Sequence, residues 1–222
     1  MRNQHGDFIW YELLTTDLNA AVKFYKAVLD WEVEDSGHPD MEYRLGFADD
    51  APIAGLMTMP QEAMSAGALP VWVGYVAVDD VDQAVAKIEA AGGSVQMPAF
   101  DVAEVGRMAM VMDADGIPFY VMRGATDDMS DSFALNQIGH CGWNELAAKN
   151  LDGALKFYGE QFGWTKGSEI DMGDMGTYKF FEHKGNAIGG MMQANDKAGP
   201  AMWSFYFRVA DIDAAAEKIV AA

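Results

Sequence analysis

The sequence has one cysteine, few basic residues and no long apolar run. Cys141 stands alone among 222 residues, so an internal disulfide is excluded. Lys and Arg number 15 against 34 Asp and Glu, and the formal charge of -19 repels nucleic-acid phosphates and anionic lipid headgroups. The longest apolar run, Ala68–Val78, is too short to span a bilayer, and the N-terminus has no secretory signal. We therefore expect a cytoplasmic protein with neither nucleic acid nor membrane as a partner.

What the sequence does contain is an internal repeat. Half of the residues are hydrophobic and 12% are aromatic, so the chain can bury a core. WYELLTTDLNAAVKFYKAVLDW at 10–31 aligns without gaps with WNELAAKNLDGALKFYGEQFGW at 143–164, with nine of 22 positions identical. PIAGLM from Pro52 repeats as AIGGMM from Ala187, and VWVGYVAVDDVDQA from Val71 repeats as MWSFYFRVADIDAA from Met202. Because the order of the blocks is kept, the whole unit is duplicated.

Each repeat also has an internal symmetry. Asp17, Asp80, Asn150 and Asp211 each follow a strand-like run and precede a helical pattern, so they are predicted N-caps. Short strands separated by Gly, Pro and Asp turns follow these helices, among them a strand predicted over Ser94–Met97. Each half of a repeat therefore predicts a βαβββ unit.

Paired βαβββ units predict an α+β fold of two tandem modules. The first module covers 1–124, a linker covers 125–136, and the second module covers 137–222. The second module stops inside or just after its second helix, so it lacks its last three strands. Such an ending would leave an unpaired sheet edge, and we expect that the native gene product is longer or that the strands come from elsewhere.

The sequence resembles the vicinal oxygen chelate superfamily of glyoxalases, bleomycin-resistance proteins and extradiol dioxygenases. WYELLTTDLNAAVKFY, WVGYVAVDDVDQAVAKIEAAGG and VGRMAMVMDADGIPFYVM carry the resemblance in the first module. They are most similar to the tandem-module, lactoylglutathione-lyase-related subgroup. The resemblance implies sheets that curl around a cavity. In the metal enzymes of the family, that cavity holds a divalent ion bound by His, Gln or Glu.

The family's usual metal positions carry other residues in this chain. The first-ligand position, seven residues before the helix-opening residue, is Trp10 in one module and Trp143 in the other. The same offset before the second helices gives Val73 and Ser204, and the last-strand carboxylate aligns with Tyr120. Tryptophan, valine and tyrosine do not replace an imidazole or carboxylate on a hard dication. No metal ligand or cofactor is therefore predicted, unless ligands lie outside these positions or in the absent strands.

Strand alternation identifies the residues that line the expected cavity. Glu12 shares a face with Trp10, and Glu145 shares a face with Trp143. Desolvation would disfavour a charged carboxylate there, which is how a general base is tuned, so these two are the candidate catalytic residues. The alternative is a structural Glu. The candidate ligand-binding residues are Trp10, Tyr75, Tyr120, Trp143, Tyr206 and Arg208. Arg208 could bind an anionic ligand or neutralise Glu145 in a buried pair.

Two functions remain open from the sequence. The first is a glyoxalase-family protein that binds a small oxygenated or aromatic molecule and uses a cavity Glu for lyase or isomerase chemistry. The second is a metal-free protein that binds or sequesters a small molecule, as drug-resistance members of the superfamily do. Either function needs a small-molecule ligand, and a homo-oligomer is compatible with both.

Overall fold

The computed structural model describes residues 2–38 and 41–221. By compactness the chain divides into two units, which we describe separately. Unit 1 comprises Met1–Ile9, Gly74–Ser130 and Trp143–Phe205, and unit 2 comprises Trp10–Val73, Asp131–Gly142 and Tyr206–Ala222. This division differs from the modules of the sequence repeat, whose boundaries stay a prediction.

The order of helices and strands follows the repeat. The elements are β1 (Phe8–Thr15), α1 (Leu18–Leu29), β2 (Glu32–Asp35), β3 (Tyr43–Ala48), β4 (Ala51–Thr58), α2 (Gln61–Ser65), β5 (Val71–Ala77), α3 (Val81–Ala90), β6 (Ser94–Val102), β7 (Gly106–Met112), β8 (Pro118–Gly124), β9 (Cys141–Ala148), α4 (Leu151–Phe162), β10 (Thr165–Asp171), β11 (Thr177–His183), β12 (Asn186–Gln193), β13 (Met202–Phe207) and α5 (Ile212–Ala221). Three βαβββ runs and a final βα pair confirm the predicted α+β fold of βαβββ units. In the described residues, no helix is long and apolar enough to cross a membrane.

The predicted caps begin the helices. The Asp17 carboxylate accepts from the Ala20 amide at 2.9 Å, and Asp80 and Asn150 make the equivalent bonds to the third residue after each. Asp211 accepts from the Ala214 amide at 3.0 Å. Each bond satisfies an amide that the first helical turn leaves without a partner. All four predicted N-caps therefore make the expected bond.

Unit 2 contains a sheet in the order β2-β3-β4-β1, in which β1 and β4 run parallel. Glu12 lies opposite Gly55 on this parallel pair. Trp31, 2% exposed, donates its indole N–H to the Gly139 carbonyl at 2.9 Å. Its ring packs in an aromatic cluster with Tyr25, Trp72 and Phe207. This cluster forms part of the unit 2 core.

Unit 1 contains strands in the order β5-β8-β7-β6 and a second sheet in the order β10-β11-β12-β9-β13. The parallel pairs are β5 with β8, where Tyr75 lies opposite Tyr120, and β9 with β12, where Glu145 lies opposite Gly190. The buried aromatic residues of its core include Phe119, Tyr158, Phe162, Trp164, Phe181 and Trp203. Each of the three βαβββ runs thus has its first and last strands as parallel neighbours.

Two local features differ from the sequence expectation. We expected β6 to end at Met97, ahead of Pro98, but it continues to Val102. β6 is the last strand in its sheet order and its register shifts between Val95 and Met97 and again between Met97 and Phe100, and proline is tolerated at such an irregular edge. The short helix α2 follows Pro60 and was not expected.

The segment before β1 is held within unit 1 by Asp7. Its carboxylate accepts from Lys184 Nζ at 2.6 Å, and His183 Nε2 lies 3.1 Å away. Burial alone would raise the pKa of Asp7, but the contacts with His183 and Lys184 lower it to about 2. Because the pKa of Asp7 is lower in the folded protein than in the unfolded chain, its charged form stabilises the fold at pH values above the ordinary pKa. This stabilisation is lost as the pH falls through the pKa of the folded protein.

Asp7→Asn is therefore expected to lower the free energy of unfolding by about 2 kcal/mol at neutral pH. Urea denaturation at pH 7 and near pH 2 measures this, and the deficit should largely vanish at the lower pH. Asp30→Asn is the matched control, because the Asp30–Lys218 pair at 2.8 Å is exposed and should contribute about 0–1 kcal/mol. A deficit of equal size at both pH values would show that Asp7 acts through packing and not through its charge.

Candidate functional site

A chain of hydrogen bonds joins Trp10, Tyr43 and Glu12 in unit 2. The Trp10 indole N–H donates to the Tyr43 hydroxyl at 2.9 Å, and that hydroxyl donates to Glu12 Oε2 at 2.9 Å. Trp10 and Glu12 are two residues apart on β1, so alternation puts them on one face, as expected. The Glu12 side chain is 5% exposed. A buried carboxylate is thus oriented by a tyrosine that is itself oriented by an indole.

Gly55 allows Tyr43 to reach across the sheet. Gly55 lies on β4, between β3 and β1, and pairs with Leu45 on one side and with Glu12 on the other. A Cβ atom at Gly55 would lie 1.8 Å from the Tyr43 hydroxyl oxygen. The phenol therefore passes over Gly55, and any side chain at position 55 would displace it. We call Trp10, Glu12, Tyr43 and Gly55 the first constellation.

The second repeat places the same residue types in unit 1. The Trp143 indole N–H donates to the Tyr178 hydroxyl at 2.7 Å, and Glu145 lies opposite Gly190. A Cβ atom at Gly190 would lie 2.1 Å from the Tyr178 ring. Tyr178 packs with Ala147 and Met192, and Trp143, Met175, Phe180, Ala194 and Ala198 pack against this group. We call Trp143, Glu145, Tyr178 and Gly190 the second constellation.

Basic side chains next to both tyrosines are paired with carboxylates elsewhere. Arg44 follows Tyr43 and contacts Asp35 at 2.6 Å, and Lys179 follows Tyr178 and contacts Asp152 at 2.6 Å. Neighbouring strand residues point to opposite faces, so these cations lie on the other side of the sheet from the tyrosines. Lys179 also lowers the pKa of Asp152. The formal charge within each constellation is therefore that of its glutamate.

The other predicted ligand-binding residues fall into two groups. Tyr75 and Tyr120 are buried in unit 1 and stack face to face, with ring centroids 4.2 Å apart. Tyr206 and Arg208 are exposed in unit 2, and an Arg208 guanidinium nitrogen lies 3.4 Å from the Leu135 carbonyl. The expectation that Arg208 could belong to a buried pair is wrong, because its side chain is exposed.

Sequence reasoning missed Tyr43 and Tyr178. The signal was present, since YRLGFA at 43–48 and YKFFEH at 178–183 stand at matching places of the repeat, each shortly before a glycine that pairs with a glutamate. Alternation along one strand finds neighbours two residues apart. It does not reveal a side chain that crosses an intervening strand.

The family's usual metal positions do not fit a divalent ion. An indole nitrogen is only a donor, and those of Trp10 and Trp143 donate to tyrosines. Val73 is a buried apolar side chain, and the Tyr120 ring is stacked. Within residues 2–38 and 41–221, no three or more His, Cys, Asp or Glu side chains come together in a way that could hold a metal ion.

Known proteins match this chain over nearly its full length. The family model described as Glyoxalase/Bleomycin resistance protein/Dioxygenase superfamily matches residues 8–121 and 137–222. The candidate glyoxylase CFP32 of Mycobacterium tuberculosis is 36% identical over an alignment of 221 positions that covers 96% of this chain and 81% of that protein. The anthracycline biosynthesis protein DnrV of Streptomyces peucetius is 26% identical over an alignment of 224 positions that covers 95% of this chain and 80% of that protein.

Solved structures share the fold at low sequence identity. A Mn(II)-bound glyoxalase from Novosphingobium aromaticivorans aligns with a TM-score of 0.63 and 18% identity, covering 99% of this chain and 71% of its own. A homoprotocatechuate 2,3-dioxygenase variant from B.fuscum, in complex with HPCA, aligns with a TM-score of 0.68 and 17% identity, covering 99% and 62%. The family match over both repeats decides the classification, and the chain belongs to the glyoxalase/bleomycin resistance protein/dioxygenase superfamily.

Proposed function

We propose that this chain binds a small oxygenated or aromatic molecule at the two constellations, and that Glu12 and Glu145 act there as general bases. The observation that carries the proposal is the buried Trp10–Tyr43–Glu12 chain, because it orients a carboxylate within an aromatic setting. A general base needs this combination of fixed geometry and reduced solvation. The names of CFP32 and of the Novosphingobium protein support glyoxalase-type chemistry for relatives.

The proposed chemistry is a proton transfer that balances within the ligand. Glu12 or Glu145 removes a proton from a carbon next to a carbonyl, and the electron pair moves onto the carbonyl oxygen to give an enolate. The protonated glutamate then returns the proton to the same carbon or, where that carbon bears a hydroxyl group, to the former carbonyl carbon as the hydroxyl proton moves to the other oxygen. The first outcome is exchange and the second is isomerisation, and neither needs an added oxidant or reductant.

Hydroxyacetone in deuterium oxide is a suitable probe, because it is small, oxygenated and carries exchangeable C–H groups. We expect the protein to accelerate deuterium incorporation, measured by proton NMR, above the rate in buffer alone. Glu12→Gln and Glu145→Gln should each remove part of the acceleration, and the double variant should reduce it by at least about 100-fold, the usual contribution of a general base. An unchanged rate in a folded double variant would contradict the assigned role.

The second candidate function is binding without catalysis. The observation in its favour is that aromatic residues occupy three of the five usual metal positions, Trp10, Trp143 and Tyr120, and that the Tyr120 ring is stacked on Tyr75. It predicts that planar aromatic compounds raise the melting temperature progressively with concentration. If this function is correct, Glu12→Gln and Glu145→Gln keep this stabilisation. Wild type should then not accelerate deuterium incorporation into hydroxyacetone. If planar compounds produce no shift over a concentration series, this alternative fails.

A further inference from the structure

We infer that one face of the β6-β7-β8 sheet binds a soft monovalent cation, Cu(I), through the thioether sulfurs of Met97, Met110 and Met112. These residues lie within unit 1, and none of them belongs to either constellation. The inference therefore goes beyond the proposed function and does not depend on the role of the two glutamates.

The contacts of Arg107 show which face of β7 the methionines occupy. Its guanidinium contacts Asp82 of α3 and Asp101 of β6, each at 2.8 Å. Arg107 therefore lies on the face of the sheet that meets α3. Because successive strand residues point to opposite faces, alternation along β7 puts three methionines on the other face. They are Met108, Met110 and Met112.

An irregularity in β6 adds Met97 to this methionine face. The register of β6 against β7 shifts between Val95 and Met97. Without that shift, Met97 would share a face with Val95, which pairs with Val111. With the shift, Met97 lies directly opposite Met110, so the two side chains leave the sheet on one face. Bulges of this kind re-aim single side chains and are over-represented next to functional sites.

The spacing of the three methionines suits one shared ion. The Cβ atoms of opposed residues such as Met97 and Met110 are about 4.5–5.5 Å apart, and Met110 and Met112 are separated by about 7 Å along β7. The methionine side chain is unbranched and has three rotatable bonds, so sulfurs that start from this spacing can converge on one ion. Met97 is 38% exposed and the other two are half-buried, so the ion can reach the sulfurs from solvent.

The donor atoms on this face select the kind of ion. Thioether sulfur is a soft ligand that prefers Cu(I), whereas divalent ions such as Mn(II) and Zn(II) prefer oxygen or nitrogen donors or thiolates. Besides Met97, the register partners of Met110 and Met112 on the neighbouring strands contribute neither a carboxylate nor an imidazole. They are Ser94, Pro118 and Tyr120. The formal charge of -19 attracts any cation to the protein, so the selectivity must come from the sulfurs.

Methyl NMR of the full 222-residue chain, with carbon-13 in the methionine methyl groups, tests where a soft ion binds. Ag(I) is the first probe, because it shares the closed d shell and the softness of Cu(I) and is stable in air. We expect about one equivalent of Ag(I) to shift the signals of Met97, Met110 and Met112, and the same amount of Zn(II) to leave them in place. Single Met→Leu variants identify the three signals.

A triple variant measures how much of the affinity comes from these sulfurs. Met97→Leu, Met110→Leu and Met112→Leu keep the side-chain volume and remove only the donor atoms, so the fold should be retained. Competition of anaerobic Cu(I) between protein and bathocuproine disulfonate gives the affinity. We expect the triple variant to bind Cu(I) more weakly by at least about 100-fold, since loss of even one supporting partner costs a metal site about 10–100-fold.

The matched control replaces three other exposed methionines of unit 1, through Met129→Leu, Met172→Leu and Met202→Leu. This variant removes the same number of thioethers and should keep the wild-type affinity for Cu(I). Thermal unfolding verifies that both triple variants are folded. If the first triple variant does not fold, the Ag(I) titration of wild type decides, because it needs no substitution at the site.

Three results would overturn the inference. The first is an Ag(I) titration that leaves the signals of Met97, Met110 and Met112 in place, or in which Zn(II) shifts them equally. The second is a folded site variant that binds Cu(I) as tightly as wild type, and the third is an equal loss of affinity in the control variant. Each of these results leaves the proposed function unaffected, because the hydroxyacetone measurement tests other residues.

Discussion

Gly190→Ala is expected to destabilise the protein by about 3 kcal/mol and to abolish ligand binding at the second constellation. The new methyl group would lie 2.1 Å from the ring of Tyr178, which is 9% exposed and packed among other side chains. The ring has to move, and its movement breaks the 2.7 Å bond from Trp143 and opens the Tyr178–Met192 packing. Urea denaturation measures the first effect and probe titration the second.

Gly55→Ala tests the same geometry where the tyrosine has more room. Tyr43 is half-buried, so its ring can swing outward, and the expected loss of stability is smaller, about 1–2 kcal/mol. Binding at the first constellation should be lost to the same extent as in Gly190→Ala. Gly142→Ala on β9 is the control, because its Cβ atom would meet nothing closer than 3.5 Å. If Gly190→Ala is no more destabilising than Gly142→Ala, the placement of the Tyr178 ring over Gly190 is wrong.

Much of the fold could be predicted because the same strand-to-helix pattern occurs four times in the sequence. Asp17, Asp80, Asn150 and Asp211 each combine a capping side chain with a strand before and an apolar stripe after, and these are local signals. The face shared by Trp10 and Glu12 also follows from local alternation. Features that depend on a single helix or strand could therefore be predicted from the sequence.

The tyrosine at the centre of each constellation could not be predicted from the sequence, for a physical reason. Tyr43 belongs to β3 but makes hydrogen bonds with Trp10 and Glu12 of β1. These bonds exist only because Gly55 has no side chain on the surface of β4 between them. A sequence pattern shows neither which strands are neighbours nor which side chains are long enough to cross one. The continuation of β6 beyond Pro98 was missed similarly, because the register shifts that accommodate the proline are a property of the pairing with β7.

Asp113→Ala is expected to cost about 3–5 kcal/mol of stability. The Asp113 carboxyl, in the turn between β7 and β8, accepts from the amides of Asp115 and Ile117 at 2.9 Å and from the Tyr158 hydroxyl on α4 at 3.0 Å. Tyr158 in turn accepts from the Trp203 indole at 3.1 Å. Alanine would leave these buried donors without an acceptor and detach the turn from α4. Urea denaturation measures the loss, and Ala114→Gly, at an exposed position of the same turn, is the control.

Asp113→Asn isolates the charge, because asparagine keeps the shape and one acceptor oxygen. Burial raises the pKa of the Asp113 carboxyl above its ordinary value of 3.8, so the folded protein holds this proton more tightly than the unfolded chain does. The free energy of unfolding of wild type should therefore exceed that of Asp113→Asn by the largest amount below pH 3.8. This difference should fall as the pH rises through the pKa of Asp113 in the folded protein. Denaturation series between about pH 3 and pH 7 on both proteins give the difference directly. A difference that grew with pH would mean that the three hydrogen bonds outweigh desolvation, and the network would then favour the carboxylate.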